Sequence, residues 1–401
     1  MLLLFLSLPA ASETQAAVPL TRPIEDPSNQ ALSRFYESLT RTSQGEWVSR
    51  IVHYGDSHVA ADILTAALRR QLQLAFGDAG IGFVLPGRPW SGYSRSGVTS
   101  QTSAGWQIEG LSQASVTLDD RLGIAGVSLN TLANGEWITL TAAGSYFDIY
   151  ALKQPGGGSI TILLDGIEQK RNISLASRTT EPIRLEIVSV TDAIHKIEIR
   201  TSSPGRSKIF GIAIEHNSSG LVYDVFGING ARASRPMQWN WKVLARGLGN
   251  RSPDLIVVAY GSNEVTDVDL DINEYQANFE LLLNRFQEAV PHASILVIGP
   301  PDRAIRAGQV WKTASRMTAL VDAQRRAAFA AGAAFYDLFN AMGGSGSIQR
   351  WASQFPPLAQ QDRVHLTAGG YRLVAEWLYT ALMAGYLESD PKTGATGWNN
   401  Q

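Results

Sequence analysis

The 401-residue sequence predicts an α/β fold interrupted by an all-β segment. Three observations carry that expectation. Apolar runs at 50–54, 222–228, 255–260, 294–299 and 334–339 alternate with stretches of helical period, the pattern of a parallel sheet with helices on both faces. The runs at 255–260 and 294–299 are almost wholly apolar, as strands buried on both faces are. From 83 to 220 the helical period disappears, and short runs of alternating apolar and polar residues succeed one another between turn residues.

Taken in order, residues 1–17 open on an apolar run too short to span a bilayer and close on Ala16-Ala17. They read as an export signal without a basic start. Residues 18–30 are a polar, proline-containing linker, and 31–44 show a weak helical period. A strand at 50–54 leads through Gly55-Asp56-Ser57-His58 into a helix expected at 59–76. That helix has Val59, Ile63, Ala67, Leu68, Leu72 and Ala75 on one face and stops at Gly77. Strand-like runs then fall at 115–118, 137–140, 147–150, 159–164, 184–188, 196–200 and 209–214. Asp165-Gly166 is a hairpin signal, and 155–158 marks another break. Helices are expected at 232–247, 272–289, 312–331 and 367–386. The reading is one α/β domain of 31–82 and 221–388, a β-sandwich or jelly roll inserted at 83–220, and a tail at 389–401.

Composition narrows the function. Hydrophobic content of 44% and charged content of 17% suit a packed core. A net charge of -2 argues against non-specific nucleic-acid binding, which needs a basic face. The chain has no cysteine, which excludes disulfides, thiolate metal sites and cysteine catalysis. No histidine pair stands at metal-ligand spacing with an acid between, so neither a metal nor a cofactor is expected. Apart from the first residues, no stretch is long and apolar enough to span a membrane.

Ligands of such sheets bind beyond the carboxyl ends of the strands, so the residues just past each strand matter. After the first comes Gly55-Asp56-Ser57, after the second Gly227-Ile228-Asn229-Gly230-Ala231, after the third Gly261-Ser262-Asn263-Glu264, and after the fourth Gly299-Pro300-Pro301-Asp302. Before the last helix stands Asp362-Arg363-Val364-His365. Together these supply a nucleophile, oxyanion donors, a base and a carboxylate to orient it. Each also has an ordinary reading: a capped turn at Ser57, a turn glycine at Gly230, a turn or N-cap residue at Asn263, a surface turn residue at Asp362, and a helix cap at His365. Asp56 is expected to support the turn by hydrogen bonding. The Ser57 turn is not a Gly-x-Ser-x-Gly elbow.

The four blocks in this chain order resemble the SGNH, or GDSL-type, hydrolases. Ser57 stands in the GDS block, Gly230 in GINGA, Asn263 in GSNE, and His365 with Asp362 in DRVH. Glu264 departs from the family's usual Asp. The GDSH form of the first block, the stretch 77–83 and the β insert are similar to the bacterial peptidoglycan O-acetylesterases, whose insert resembles a carbohydrate-binding module. The resemblance implies a flavodoxin-like three-layer sheet with Ser57, Asp362 and His365 as catalytic residues. It also implies an oxyanion hole made by Ser57, Gly230 and Asn263, and removal of acetyl groups from a cell-envelope polysaccharide. Trp90, Tyr93, Trp351 and Phe355 are candidates to stack on sugar rings, packing in core or loop being the alternative for each. A monomer acting in the periplasm or after secretion is expected. Rival readings are another esterase, lipase or thioesterase of the same superfamily, an acetyltransferase, or a catalytically inactive glycan-binding envelope protein.

Overall fold

The computed structural model describes residues 22–111 and 120–389. The expected export signal at 1–17, the run at 115–118 and residues 390–401 of the tail lie outside the described residues. Five strands form a parallel sheet: β1 Val48–Gly55, β2 Gly220–Gly227, β3 Leu255–Ala259, β4 Ser294–Ile298 and β5 Ala334–Tyr336. Their spatial order is β2-β1-β3-β4-β5, with every neighbouring pair parallel. This is the flavodoxin-like order with its switch point beside β1.

Alternate residues of these strands enter two different cores. Leu255, Val257, Leu296 and Ile298 pack with helices α1 Ser33–Ser43, α2 Leu64–Phe76 and α6 Ala368–Ser389. Ile256, Val258, Ile295 and Val297 pack on the other face with α3 Trp241–Arg251, α4 Ile272–Ala289 and α5 Met317–Ala330. The period-two side-chain alternation of a strand thus makes three layers from nearly continuous apolar runs.

Several boundaries differ from the sequence expectation. The helix expected at 59–76 is broken: one turn spans Ser57–Ala60, and α2 starts at Leu64. Asp62 between them has a left-handed φ of 53°, and its carboxylate accepts from Thr65 Oγ1 at 2.7 Å and from Arg69 and Arg95. The helix expected from 232 starts at Trp241, where the Asn240 side chain caps it by accepting from Val243 N. The one expected from 312 starts at Met317, because Ala304–Ala307 and Val310–Thr313 pair as a hairpin. The last parallel strand ends at Tyr336 because Asp337 caps a short helix, Leu338–Ala341.

Among the described residues, the intervening chain builds a nine-stranded antiparallel sheet, which fits an inserted β domain. The runs at 137–140 and 147–150 belong to one strand, Trp137–Lys153, and those at 184–188 and 196–200 to another, Glu181–Ser203. A bulge between Gly144 and Tyr146 interrupts the alternation and made one strand read as two. Asp165 and Gly166, with φ of 53° and 80°, form the tight turn between Ser159–Leu164 and Ile167–Ser174.

The β segment is not hung on a linker. Phe83, Leu85, Ile124, Tyr150, Leu152 and Phe210 share one core with Tyr54, Phe226, Trp239 and Leu244 of the α/β part. Tyr54 Oη donates to Ile124 O at 2.7 Å. Buried charge joins the same parts: Arg95 donates to Asp62 at 2.9 Å and to the carbonyls of Ile81 and Tyr223. Arg251 pairs with Asp224, which also accepts from Phe83 N at 2.7 Å. Removing one partner of a buried pair leaves the other charge uncompensated. Arg95→Ala is therefore expected to lower stability by about 3–5 kcal/mol, read as a shifted midpoint in urea unfolding, with the α/β and β parts still unfolding in one transition.

Candidate active site

β1 delivers Ser57. A Cβ on Gly55 would lie 2.4 Å from Val59 Cγ2 and 2.8 Å from Ala259 O, so only glycine lets the strand turn here. Asp56, fully buried, caps the turn: its carboxylate accepts from His58 N at 2.9 Å, and its carbonyl from Val59 N and Ala60 N. Burial pushes the Asp56 carboxyl up to about 7 against the pull of the His58 N–H, and the nearby Glu264 adds to the rise. This agrees with the expected turn-supporting place of Asp56. Ser57 opens the single helical turn, and its Oγ lies 2.8 Å from His365 Nε2.

His365 stands on a loop shaped by Asp362. One Asp362 oxygen accepts from the backbone N–H groups of Val364 and His365 at 2.9 and 3.0 Å, and the other lies 2.7 Å from His365 Nδ1. Arg363 between them adopts a φ of 55°. Burial raises the Asp362 carboxyl, but the His365 ring and the two N–H groups outweigh it and hold the group below its usual range. With Nδ1 facing a carboxylate, Nε2 is the nitrogen left to accept from Ser57. Behind His365, the His58 ring lies 5.4 Å away, its Nδ1 3.0 Å from Tyr371 Oη. Burial drives the His58 pKa down to about 3, so this second imidazole stays neutral beside the first.

Gly230 and Asn263 come from the ends of β2 and β3. Ile228 N donates to Gly55 O at 3.0 Å, which ties the β2 turn to the Ser57 turn. Gly230 has a φ of 73°, and a Cβ there would meet nothing, so backbone conformation rather than space calls for glycine. Its N–H makes no hydrogen bond among the described residues. Asn263 Nδ2 donates to Ala231 O at 2.9 Å, and its Oδ1 receives Arg303 Nη1 at 3.4 Å. Glu264 accepts from Ala233 N at 2.7 Å, so this departure from the usual Asp clamps the same turn.

The four aromatic candidates divide. Tyr93 and Trp351 are core side chains and offer no face to a sugar. Tyr93 Oη accepts from Leu85 N at 2.8 Å, and Trp351 packs on Trp377 with ring centres 5.7 Å apart. Trp90 is half-buried edge-on against Tyr93, and Phe355 is 98% exposed. An aromatic residue type does not reveal which way its ring turns. Sequence reasoning missed Arg303. It directly follows Gly299-Pro300-Pro301-Asp302, the stretch singled out after β4, at the same edge of the sheet.

Residues 205–373 match the model of the GDSL-like Lipase/Acylhydrolase family. The matched part includes Gly230, Asn263, Asp362 and His365 but not Ser57. A solved structure of a peptidoglycan O-acetylesterase shares 27% identity, with a TM-score of 0.78, over 91% of this chain and 99% of its own. A family two carbohydrate esterase from Cellvibrio japonicus shares 12% identity over 72% of this chain and 98% of its own, with a TM-score of only 0.28. No curated protein matches the sequence. The fold and the family match together define a carboxylic ester hydrolase. Within that class, the chain carries a GDSL/SGNH-type lipase-acylhydrolase domain.

The Asp56 environment gives a pH signature. Its folded carboxyl titrates near 7, against about 3.9 in an unfolded chain. Between those values the folded state keeps a proton that the unfolded state has released. Its contribution to stability therefore falls as pH rises from about 4 to about 7. Asp56→Asn cannot ionise. It is expected to gain roughly 1–4 kcal/mol relative to the parent chain over that interval, measured from urea unfolding at both ends.

Proposed function

We propose that the chain is a serine esterase that removes O-acetyl groups from a cell-envelope polysaccharide, with peptidoglycan as the substrate. The observation that carries this reading is the hydrogen-bonded series Ser57–His365–Asp362, at 2.8 and 2.7 Å. Full-length likeness to a peptidoglycan O-acetylesterase supports the substrate. The apolar start of the sequence supports action in the periplasm or after secretion.

In this mechanism Ser57 Oγ attacks the acetyl carbonyl carbon as His365 Nε2 takes its proton. Asp362 holds the imidazole by Nδ1 and stabilises the imidazolium that forms. The carbonyl oxygen, now an oxyanion, is received by the N–H of Ser57, the free N–H of Gly230 and the Asn263 amide. Asn263 spends one N–H on Ala231 O and keeps the other. Its Oδ1 faces Arg303, so the amide is held with nitrogen towards the β2 turn. The tetrahedral intermediate collapses, the C–O bond to the sugar breaks, and His365 returns its proton to the leaving sugar oxygen. Water then adds to the acetyl-serine, His365 again taking a proton, and acetate leaves with Ser57 restored.

Release of acetate from O-acetylated peptidoglycan tests the reading. Ser57→Ala is expected to lower kcat by at least about a thousandfold, and Asp362→Asn by about a thousandfold or more. Asn263→Ala should lower it by about a hundred- to a thousandfold. Undiminished acetate release by the Ser57 variant would sink the assignment. Acetylated acceptor sugar in place of free acetate would make the chain a transferase.

A further inference from the structure

Arg303 is fixed at the rim of this site from three sides. Its carbonyl accepts from Ala314 N at 2.9 Å, and Ala304 N next to it donates to Arg363 O, inside the Asp362–His365 loop, at 3.0 Å. The preceding Asp302 is fully buried and accepts from Thr313 Oγ1 at 2.8 Å and Ile348 N at 3.0 Å. From this anchored backbone the side chain reaches to Ser262 O and Asn263 Oδ1, both through Nη1. The guanidinium thus holds the strand end that carries Asn263, while the backbone beside it is tied to the loop that carries His365.

No carboxylate among the described residues pairs with Arg303 directly, and Asp56, Asp362 and Asp267 act on it only from a distance. Arg232 nearby is spent on Asp267 at both nitrogens. Asp362 is spent on His365 and two backbone N–H groups. Arg303 is half-buried and makes no ion pair among the described residues, and its Nε is buried without a partner. With Nη1 engaged and Nε buried, Nη2 is the nitrogen left for a ligand. A hydrogen bond from such a charged nitrogen to a carboxylate is about twice as strong as one between neutral groups.

We propose that Arg303 recognises a carboxylate borne by the sugar whose ester is cleaved, so that the site favours esters of acidic sugars over neutral ones. This rests on the serine-esterase reading above. The same residue orients Asn263, so a change of Arg303 slows every substrate somewhat. Selectivity between two substrates, rather than rate on one, is the quantity that isolates recognition.

The experiment compares kcat/KM for N-acetylmuramic acid and N-acetylglucosamine, each acetylated on the primary hydroxyl. The two differ by the lactyl carboxylate. The wild type is expected to prefer the acidic sugar by about tenfold or more, and added salt should erode that preference. Arg303→Gln should bring the ratio to about one, mainly through KM on the acidic sugar, while Arg303→Lys keeps part of it. A wild type that does not discriminate overturns the proposal, a result that stands even if the Gln variant fails to fold. A Gln variant that slows both sugars equally also overturns it, because Arg303 would then act only through Asn263. No acetate from either sugar with the wild type would overturn the esterase reading itself, and this proposal with it.

Discussion

The hydrogen-bonded register of β1 between β2 and β3 sets where every group of the candidate site stands. Gly55 pairs with Gly227 on one side and Ala259 on the other. β2, β1 and β3 therefore end at one level. A slip along the sheet would separate the turns that carry Ser57, Gly230 and Asn263. The bond from Ile228 N to Gly55 O and the Asn263 contact with Ala231 O are possible only because the strand ends are aligned. The Asp362–His365 loop is tied in from outside the sheet, through the Ser57 contact and through the bond from Ala304 N to Arg363 O.

Much of this could be read from the residues alone, for a definite reason. Strands buried on both faces are apolar throughout, so 255–260 and 294–299 announce themselves, and the short polar blocks after them can be assigned to one edge. What escaped was set by contacts distant in sequence. The break at Asp62 depends on Arg95, which is far along the chain. The single strand Trp137–Lys153 looked like two because its bulge falls on Gly144-Ser145. Tyr93 and Trp351 carry the chemistry of sugar platforms, yet their surroundings place them in the cores. Arg303 has no motif, and its importance comes from a side-chain amide on another strand.

The boundary between the α/β and β parts shows the same limit. The change of periodicity near 83 and 220 marks where the secondary structure changes, but it does not mark where the core divides. Ile124 and Phe210 pack beside Tyr54 and Trp239, and a Cβ on Gly126 would lie 2.0 Å from Trp239 Cζ2. Buried charges reinforce the joint, with Asp224 of β2 taking both Arg251 and the backbone of Phe83. Such pairs are weak evidence for stability in themselves. Here they tie the two sheets at named points, Arg95 to Asp62 and Tyr223 O, and Asp224 to Phe83 N.

The place of β1 between β2 and β3 also constrains the order of events during synthesis. β1 ends at Gly55, but neither strand that flanks it exists until residues 220–227 and 255–259 have been made. The strand that bears Ser57 must wait, with both hydrogen-bonding edges bare, while the whole antiparallel segment is translated. Closing so long a loop is slow, and bare apolar strand edges invite pairing with the wrong chain. The antiparallel segment offers a remedy. Its pairings all lie within residues 82–215, so they need nothing from β2 or β3, and Phe83, Ile124 and Phe210 supply apolar surface for Tyr54. The shared core therefore couples the nucleophile strand to the β segment: neither can be fully packed without the other.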